Sequence, residues 1–166
     1  EDIAKSEMEW HYLGFYLKWH PQANYYFATK YKFQPAPERN AGSFSRYSGL
    51  DDKMDDFNYY FLYVKYGQGR ASYDTAQEIR RGDINRDEAK ALIERYDGEY
   101  PTRFENEVYE YWSINKIPGA NQKMIDAFEV KEVNRKYIEK LSDKFRSPHL
   151  WKYDKTKKNW KLNYDL

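Results

Sequence analysis

Glycines at positions 67, 69, 82 and 98 punctuate residues 43–98, where apolar side chains otherwise recur every three or four positions. That rhythm restricts the segment to short amphipathic helices joined by tight turns, because an apolar stripe of period 3.6 fits a helix and not a strand. Leu50, Met54, Phe57, Phe61 and Val64 form one stripe. Ser48, with Asp51 three residues on, predicts a capping box that opens this helix, which then runs to about Tyr66. Gly67 suits the left-handed residue that follows it. A second helix is expected from Ser72, its N-cap, to Arg81, with Gly82 as its stop. Asn85 and Glu88 make a capping box for a third, whose buried stripe is Ala89, Leu92, Ile93 and Tyr96 and whose stop is Gly98.

The flanks read as supports for this array. Residues 9–19 (EWHYLGFYLKW) carry apolar side chains on both faces and predict a buried strand. Pro21 then suits the first turn of a helix reaching about Lys32, and residues 34–46, with two prolines and a glycine, are a loop. A fourth helix is expected over 101–112, an interruption at Ile117-Pro118-Gly119, and amphipathic pieces over 121–130 and 133–145. Residues 151–164 alternate around a polar turn, and so form a hairpin or pack along the surface. The expected fold is mainly α: a compact multi-helix array with a short N-terminal strand and a small C-terminal hairpin. The 166 residues suit one domain, with a strand-like lead-in (1–20), a helical body (21–146) and a tail (147–166).

Composition narrows the function classes. Eighteen tyrosines, nine phenylalanines and five tryptophans coexist with a mean hydropathy of −1.11, so tyrosine carries much of the core and its buried hydroxyls need partners. The absence of cysteine removes disulfides, thiolate catalysis and cysteine-based zinc sites. Lys+Arg 28 against Asp+Glu 27 leaves a net charge of +1, which gives no global field toward nucleic acid or an anionic membrane. No apolar run approaches the roughly 20 residues of a membrane span, and no secretory leader pattern occurs. A cytoplasmic location is therefore expected. His11, His20 and His149 lie in no metal-ligand spacing.

The charged residues at the helix starts are the candidates for chemistry. Asp51, Asp52, Asp55 and Asp56 cluster more densely than capping requires, and Asp52 and Asp56, at i and i+4, predict a neutralising cation. Lys53, Arg46 or Arg70 can supply it as a structural partner; a hydrated Mg²⁺ or a substrate amine are the alternatives. Arg70 stands beside two glycines at a helix start whose free N–H groups attract anions, and equally suits a tie to Asp52 or Asp74. Lys53 and Arg70, with Lys65 and Arg80, are candidates to contact phosphate or carboxylate.

Several of these residues fall in a larger pattern. Leu50-Asp51-Asp52-Lys53, the run Tyr63-x-x-Tyr66-Gly67-x-Gly69-Arg70-Ala71, then Asp74-x-Ala76-x-Glu78-Ile79-Arg80, and Arg146-Ser147-Pro148-His149-Leu150-Trp151 together resemble the C-terminal part of bacterial N-acetyl sugar amidotransferases. The likeness spans about 10–112 and resumes at 145. Asn40-Ala41 departs from the family's loop, and 113–144 fits it poorly. The resemblance implies an ATP-pyrophosphatase-type ligase that turns a sugar acetamido group into an acetamidino group in surface-polysaccharide or flagellar glycan biosynthesis. ATP activates the amide oxygen, and ammonia comes from a glutaminase partner with a cyclase-like subunit. The substrate is a nucleotide-linked or nonulosonate sugar. The family's Ser-Gly-Gly-x-Asp-Ser phosphate loop (PP-loop), which grips ATP, does not occur in this sequence. The chain is thus expected to be a C-terminal piece, inactive alone, whose partner is the N-terminal PP-loop domain that binds ATP and Mg. Arg46, Asp51, Asp52, Lys53, Arg70 and His149 are expected to face substrate or phosphate. A non-catalytic docking or glycan-binding module is the alternative.

Overall fold

The structure, a computed structural model, describes residues 5–6, 8–113 and 132–164. Its contacts divide the chain into two units, 1–34 and 35–166.

In the first unit, the expected strand is absent. Its place holds a single helical turn, α1 (Leu13–Tyr16), closed by the Leu17 N–H on the Leu13 carbonyl at 3.0 Å. Trp10 and Phe15 are 89% and 85% exposed, so these side chains are not core. A strand needs a neighbour for every other N–H and C=O, and where none pairs with it the local turn bond wins. The helix α2 (Pro21–Lys30) follows as expected, with Pro21 in its first turn and the His20 imidazole accepting the Ala23 N–H at 3.2 Å.

The second unit is mainly helical. Its helices are α3 (Asp55–Tyr66), α4 (Arg70–Arg81), α5 (Arg86–Tyr96), α6 (Glu105–Trp112) and α7 (Arg135–Phe145). Strands β1 (Trp151–Asp154) and β2 (Asn159–Leu162) form an antiparallel hairpin with Trp151 opposite Leu162. The hairpin alternative for the tail is the one realised. The interruption at 117–119 and the amphipathic piece over 121–130 lie outside the described residues.

The core is built on α3. Phe57, Tyr60 and Val64 pack with Val108 and Tyr109 of α6 and Ile138 of α7. Phe57, 1% exposed, meets the rings of Tyr100, Tyr109 and Trp112 edge-on at centroid distances of 5.2 to 5.9 Å, the arrangement that aromatic quadrupoles favour. Two of the core tyrosines find the hydroxyl partners that their burial requires: the Tyr100 and Tyr109 hydroxyls share a hydrogen bond of 2.5 Å, and Tyr109 donates to Glu105 at 3.2 Å.

Three local expectations change. The helix expected from Ser48 begins only at Asp55, because Gly49 takes a φ of +56° and the Asp52 carboxylate accepts the Met54 N–H at 2.7 Å, closing a turn first. Leu50 is therefore exposed, and Tyr60 takes the place in the stripe that the early start had given it. Asp52 and Asp56 consequently do not share a helical face. Ser72 is not an N-cap either; Gly69 holds that position. The Asn85–Glu88 capping box and the left-handed residues Gly67 and Gly82 are as read.

Candidate functional site

The loop over 35–54 is short of apolar side chains yet well buried at Asn40, Ser43 and Ser45, and polar contacts hold it there. Its two arms pair through the Ala36 N–H on the Arg46 carbonyl and the Asn40 N–H on the Ser45 carbonyl, both at 2.8 Å. Arg39 forks onto Glu99 at 2.5 and 2.6 Å, while Glu99 also accepts the Gly42 N–H at 2.9 Å. The hydrogen bond from Arg39 is the main cause that holds the Glu99 carboxyl below its ordinary range. Ser43 Oγ donates to Asp74 at 2.6 Å, and Asn40 Nδ2 donates to Asp56 at 3.3 Å.

Beneath the loop lies a chain of paired charges. Arg70 is 9% exposed; its Nη1 donates to Asp55 at 3.0 Å, its Nε stands 3.3 Å from Asp74, and its guanidinium lies 4.3 Å from the Tyr59 ring centre. Burial pushes the Asp74 carboxyl above its ordinary range, although Ser43 and Arg70 both favour the carboxylate. Asp56 pairs with Arg103 at 3.4 Å. The cation demanded by the aspartate cluster is thus Arg70 for Asp55 and Arg103 for Asp56. Arg103 stands 47 positions along the chain and carries no local signal.

Asp97 occupies the N-terminus of α4. Its carboxylate accepts the N–H groups of Gly69 at 3.0 Å, Ala71 at 2.8 Å and Ser72 at 3.3 Å, and the Ser72 hydroxyl at 2.5 Å. The anion that this helix start was expected to attract is therefore a side chain of the protein. With these N–H groups taken and Arg70 shared between two carboxylates, this end of α4 does not fit a triphosphate.

The six candidates do not converge. Asp51 and Asp52 are exposed just before α3, and Lys53 beside them pairs with Glu107 and lies 5.3 Å from the Phe104 ring centre. Arg46 is exposed on the loop above. Arg70 is buried in the charge chain. His149 is exposed at the other end of α3, where Trp151 Nε1 donates to the Val64 carbonyl at 2.8 Å and Asn163 Nδ2 reaches the His149 carbonyl at 3.4 Å. At 1.5 Å per residue, the twelve residues of α3 separate these two ends by about 18 Å.

Between them opens a groove of about 550 Å³ walled by Tyr59, Tyr66, Tyr73, Ile93 and Tyr164, with Ser72 and Gln68 as polar members. Burial raises the Tyr59 hydroxyl above its ordinary pKa. No sequence motif pointed to this groove, since its walls come from α3, α4, α5 and the segment after β2. Among the described residues, no cluster of three or more His, Asp or Glu side chains is set to hold a metal, and no helix is long and apolar enough to cross a membrane.

A family model described as "LPS biosynthesis protein WbpG-like, C-terminal domain" matches residues 41–165. No curated protein matches the chain closely enough to count as a relative.

Proposed function

This chain belongs to the LPS biosynthesis protein WbpG-like C-terminal domain family, and on that premise we propose that it is the C-terminal portion of an ATP-dependent N-acetyl sugar amidotransferase. The reaction is the conversion of a sugar acetamido group to acetamidino: the amide oxygen displaces pyrophosphate from ATP, ammonia adds at the amide carbon, and AMP leaves with that oxygen. The ammonia comes from a glutaminase partner with a cyclase-like subunit, and the reaction takes place in the cytoplasm during O-antigen or flagellar glycan synthesis.

The single observation that carries the reading is where the matched residues fall. They build the polar loop from residue 41 on, the capped start of α4 and the tyrosine groove. Their charges neutralise one another, which suits a scaffold that presents a binding surface while another domain supplies the nucleotide grip. ATP and Mg are accordingly assigned to an N-terminal PP-loop domain. Arg46, Asp51, Asp52 and Lys53 form the ligand-facing rim at one end of α3, and His149 the rim at the other. Arg70 acts from below as a positioning residue, fixing Asp55 and Asp74.

The test combines this chain with a PP-loop domain and measures glutamine- or ammonia-dependent AMP release over a panel of nucleotide-linked and nonulosonate N-acetyl sugars. Release that requires both the sugar and this chain is expected. Its failure under every pairing would overturn the assignment and favour the docking or glycan-binding alternative.

A further inference from the structure

The tyrosine groove takes no part in the ion pairs that brace the loop, and its own chemistry specifies an occupant. Its walls are aromatic: the Tyr59 and Tyr73 ring centres lie 6.4 Å apart, and Tyr66 and Tyr73 are each more than half exposed, so ring surface is open to a ligand. Its polar groups are hydroxyls and the Gln68 amide, and no lining side chain is charged. Two of the charges near it are already matched. Arg70, stacked on Tyr59, is held by Asp55 and Asp74, and Asp97 is saturated by the start of α4. Lys65, 5.3 Å from the Tyr66 ring centre, stands outside the lining.

A phosphate entering this groove would lose its water and find no matching charge on the walls. A nucleobase would find rings to stack on. A pyranose offers more: an apolar C–H face for a ring surface, and equatorial hydroxyls for tyrosine, serine and glutamine. The volume is within the range of small-molecule clefts, about 300–1,000 Å³. We infer that the groove is a subsite for the uncharged pyranose ring of a sugar, and that any phosphate on that sugar lies outside it. The inference deepens the amidotransferase reading and rests on it for the acetamido group; the groove alone supplies the argument for the ring.

The experiment is saturation-transfer NMR on the 166-residue chain, with the methyl glycosides of N-acetylglucosamine and N-acetylgalactosamine as probes. Transfer to ring protons of at least one glycoside is expected. It should fall at least fivefold in Tyr73→Ala, an exposed helical position where alanine preserves the fold, and be unchanged in Tyr111→Ala, an exposed tyrosine outside the groove. Equimolar uridine diphosphate should not displace the sugar. Absence of transfer from both glycosides, equal transfer in Tyr73→Ala, or displacement by uridine diphosphate would each overturn the inference, the last in favour of a nucleobase site. No ATP or ammonia is present, so the two readings fail separately. AMP release without sugar transfer removes the groove alone, and sugar transfer without AMP release removes the reaction alone.

Discussion

Asp97 Oδ2 receives the Ser72 hydroxyl at 2.5 Å, so the residue that closes α5 also caps α4. A side-chain cap lost to alanine costs about 1 kcal/mol and up to 2. Here one carboxylate also satisfies three N–H groups, and removing it strands part-buried donors at further cost. Asp97→Ala should therefore lower stability by about 2 kcal/mol or more, and Asp97→Asn, which keeps one acceptor oxygen, by about half as much. Urea unfolding with an unchanged slope reads both. A loss below about 0.5 kcal/mol in Asp97→Ala would mean that water replaces the carboxylate at little cost.

Two glycines with the same backbone separate strain from collision. Gly82 and Gly98 both have a φ of +81°, but a Cβ on Gly82 would meet nothing within 4 Å, whereas on Gly98 it would stand 2.2 Å from the Tyr63 ring. Gly82→Ala should cost about 1 kcal/mol, the left-handed penalty alone. Gly98→Ala must also displace a ring that packs on Trp151 at 5.0 Å, and should cost at least about 2 kcal/mol more, on the scale of core overpacking. Thermal or chemical denaturation of the pair gives the difference directly, and equal losses would show that the Tyr63 ring moves aside freely.

The fork between Arg39 and Glu99 predicts a pH signature. Glu99 has a folded pKa below its unfolded one, so the contribution is complete above about pH 4.5 and is lost as the pH falls through the depressed folded value. Both side chains are more than a third exposed, and solvent screening limits the pair to roughly 0.5–1 kcal/mol. Glu99→Gln should cost that amount at pH 7, and its stability curve should rejoin the parent's in acid. A deficit that persists at pH 2 would assign the loss to the Gly42 hydrogen bond instead.

Arg70 ties α4 to α3, and its removal should behave differently. Asp55 and Asp74, 24% and 12% exposed at their side chains, would be left without their cation, a change that typically costs about 3–5 kcal/mol. Burial already raises the Asp74 pKa, and without Arg70 the folded carboxyl holds its proton more firmly still. A raised carboxyl pKa stabilises the fold in acid, and that gain is lost as the pH rises. The Arg70→Ala deficit should therefore be largest near neutrality and shrink as the pH falls. Denaturation at pH 7 and at pH 4 measures the contrast, and a deficit independent of pH would remove the electrostatic explanation.

What the sequence made legible was the local part of this structure. The Asn85–Glu88 box, the left-handed Gly67 and Gly82 and the proline at the start of α2 need only neighbours within a few residues, and each is where its chemistry put it. The aspartate cluster announced that cations were needed, and Arg70 was among those offered, with Asp74 as a partner as found; Arg103 was not, because it reaches the cluster only through the fold. Asp97 was hidden for the same reason: it caps a helix start that precedes it by 25 residues or more. The aromatic run over 9–19 failed in the opposite direction. Its composition signals burial, but burial belongs to the whole fold, and these side chains are exposed. The groove was illegible because Tyr59, Tyr66 and Tyr73, although seven residues apart, lie on two helices broken by the glycine turn at 67–69, and Ile93 and Tyr164 join them only through the fold.

Exposure makes the remaining candidates clean probes of function. Arg46, Asp51, Asp52 and His149 are all solvent-facing, and the Lys53–Glu107 pair is more than half exposed; a surface substitution away from caps and cores shifts stability by within about 0.5 kcal/mol. Alanine at Arg46, Asp51, Lys53 or His149 should leave the unfolding midpoint nearly unchanged, while Asp52→Ala adds only the loss of its turn bond to the Met54 N–H. Any fall in sugar-dependent AMP release by the paired enzyme then reports ligand contact and not unfolding. The two rims about 18 Å apart should differ as well: if they hold different parts of one substrate, Arg46→Ala and Lys53→Ala should raise the KM for anionic sugars more than for neutral ones, whereas His149→Ala should raise both alike. Equal effects of all these substitutions on charged and neutral sugars would remove the phosphate or carboxylate role from the loop end of α3.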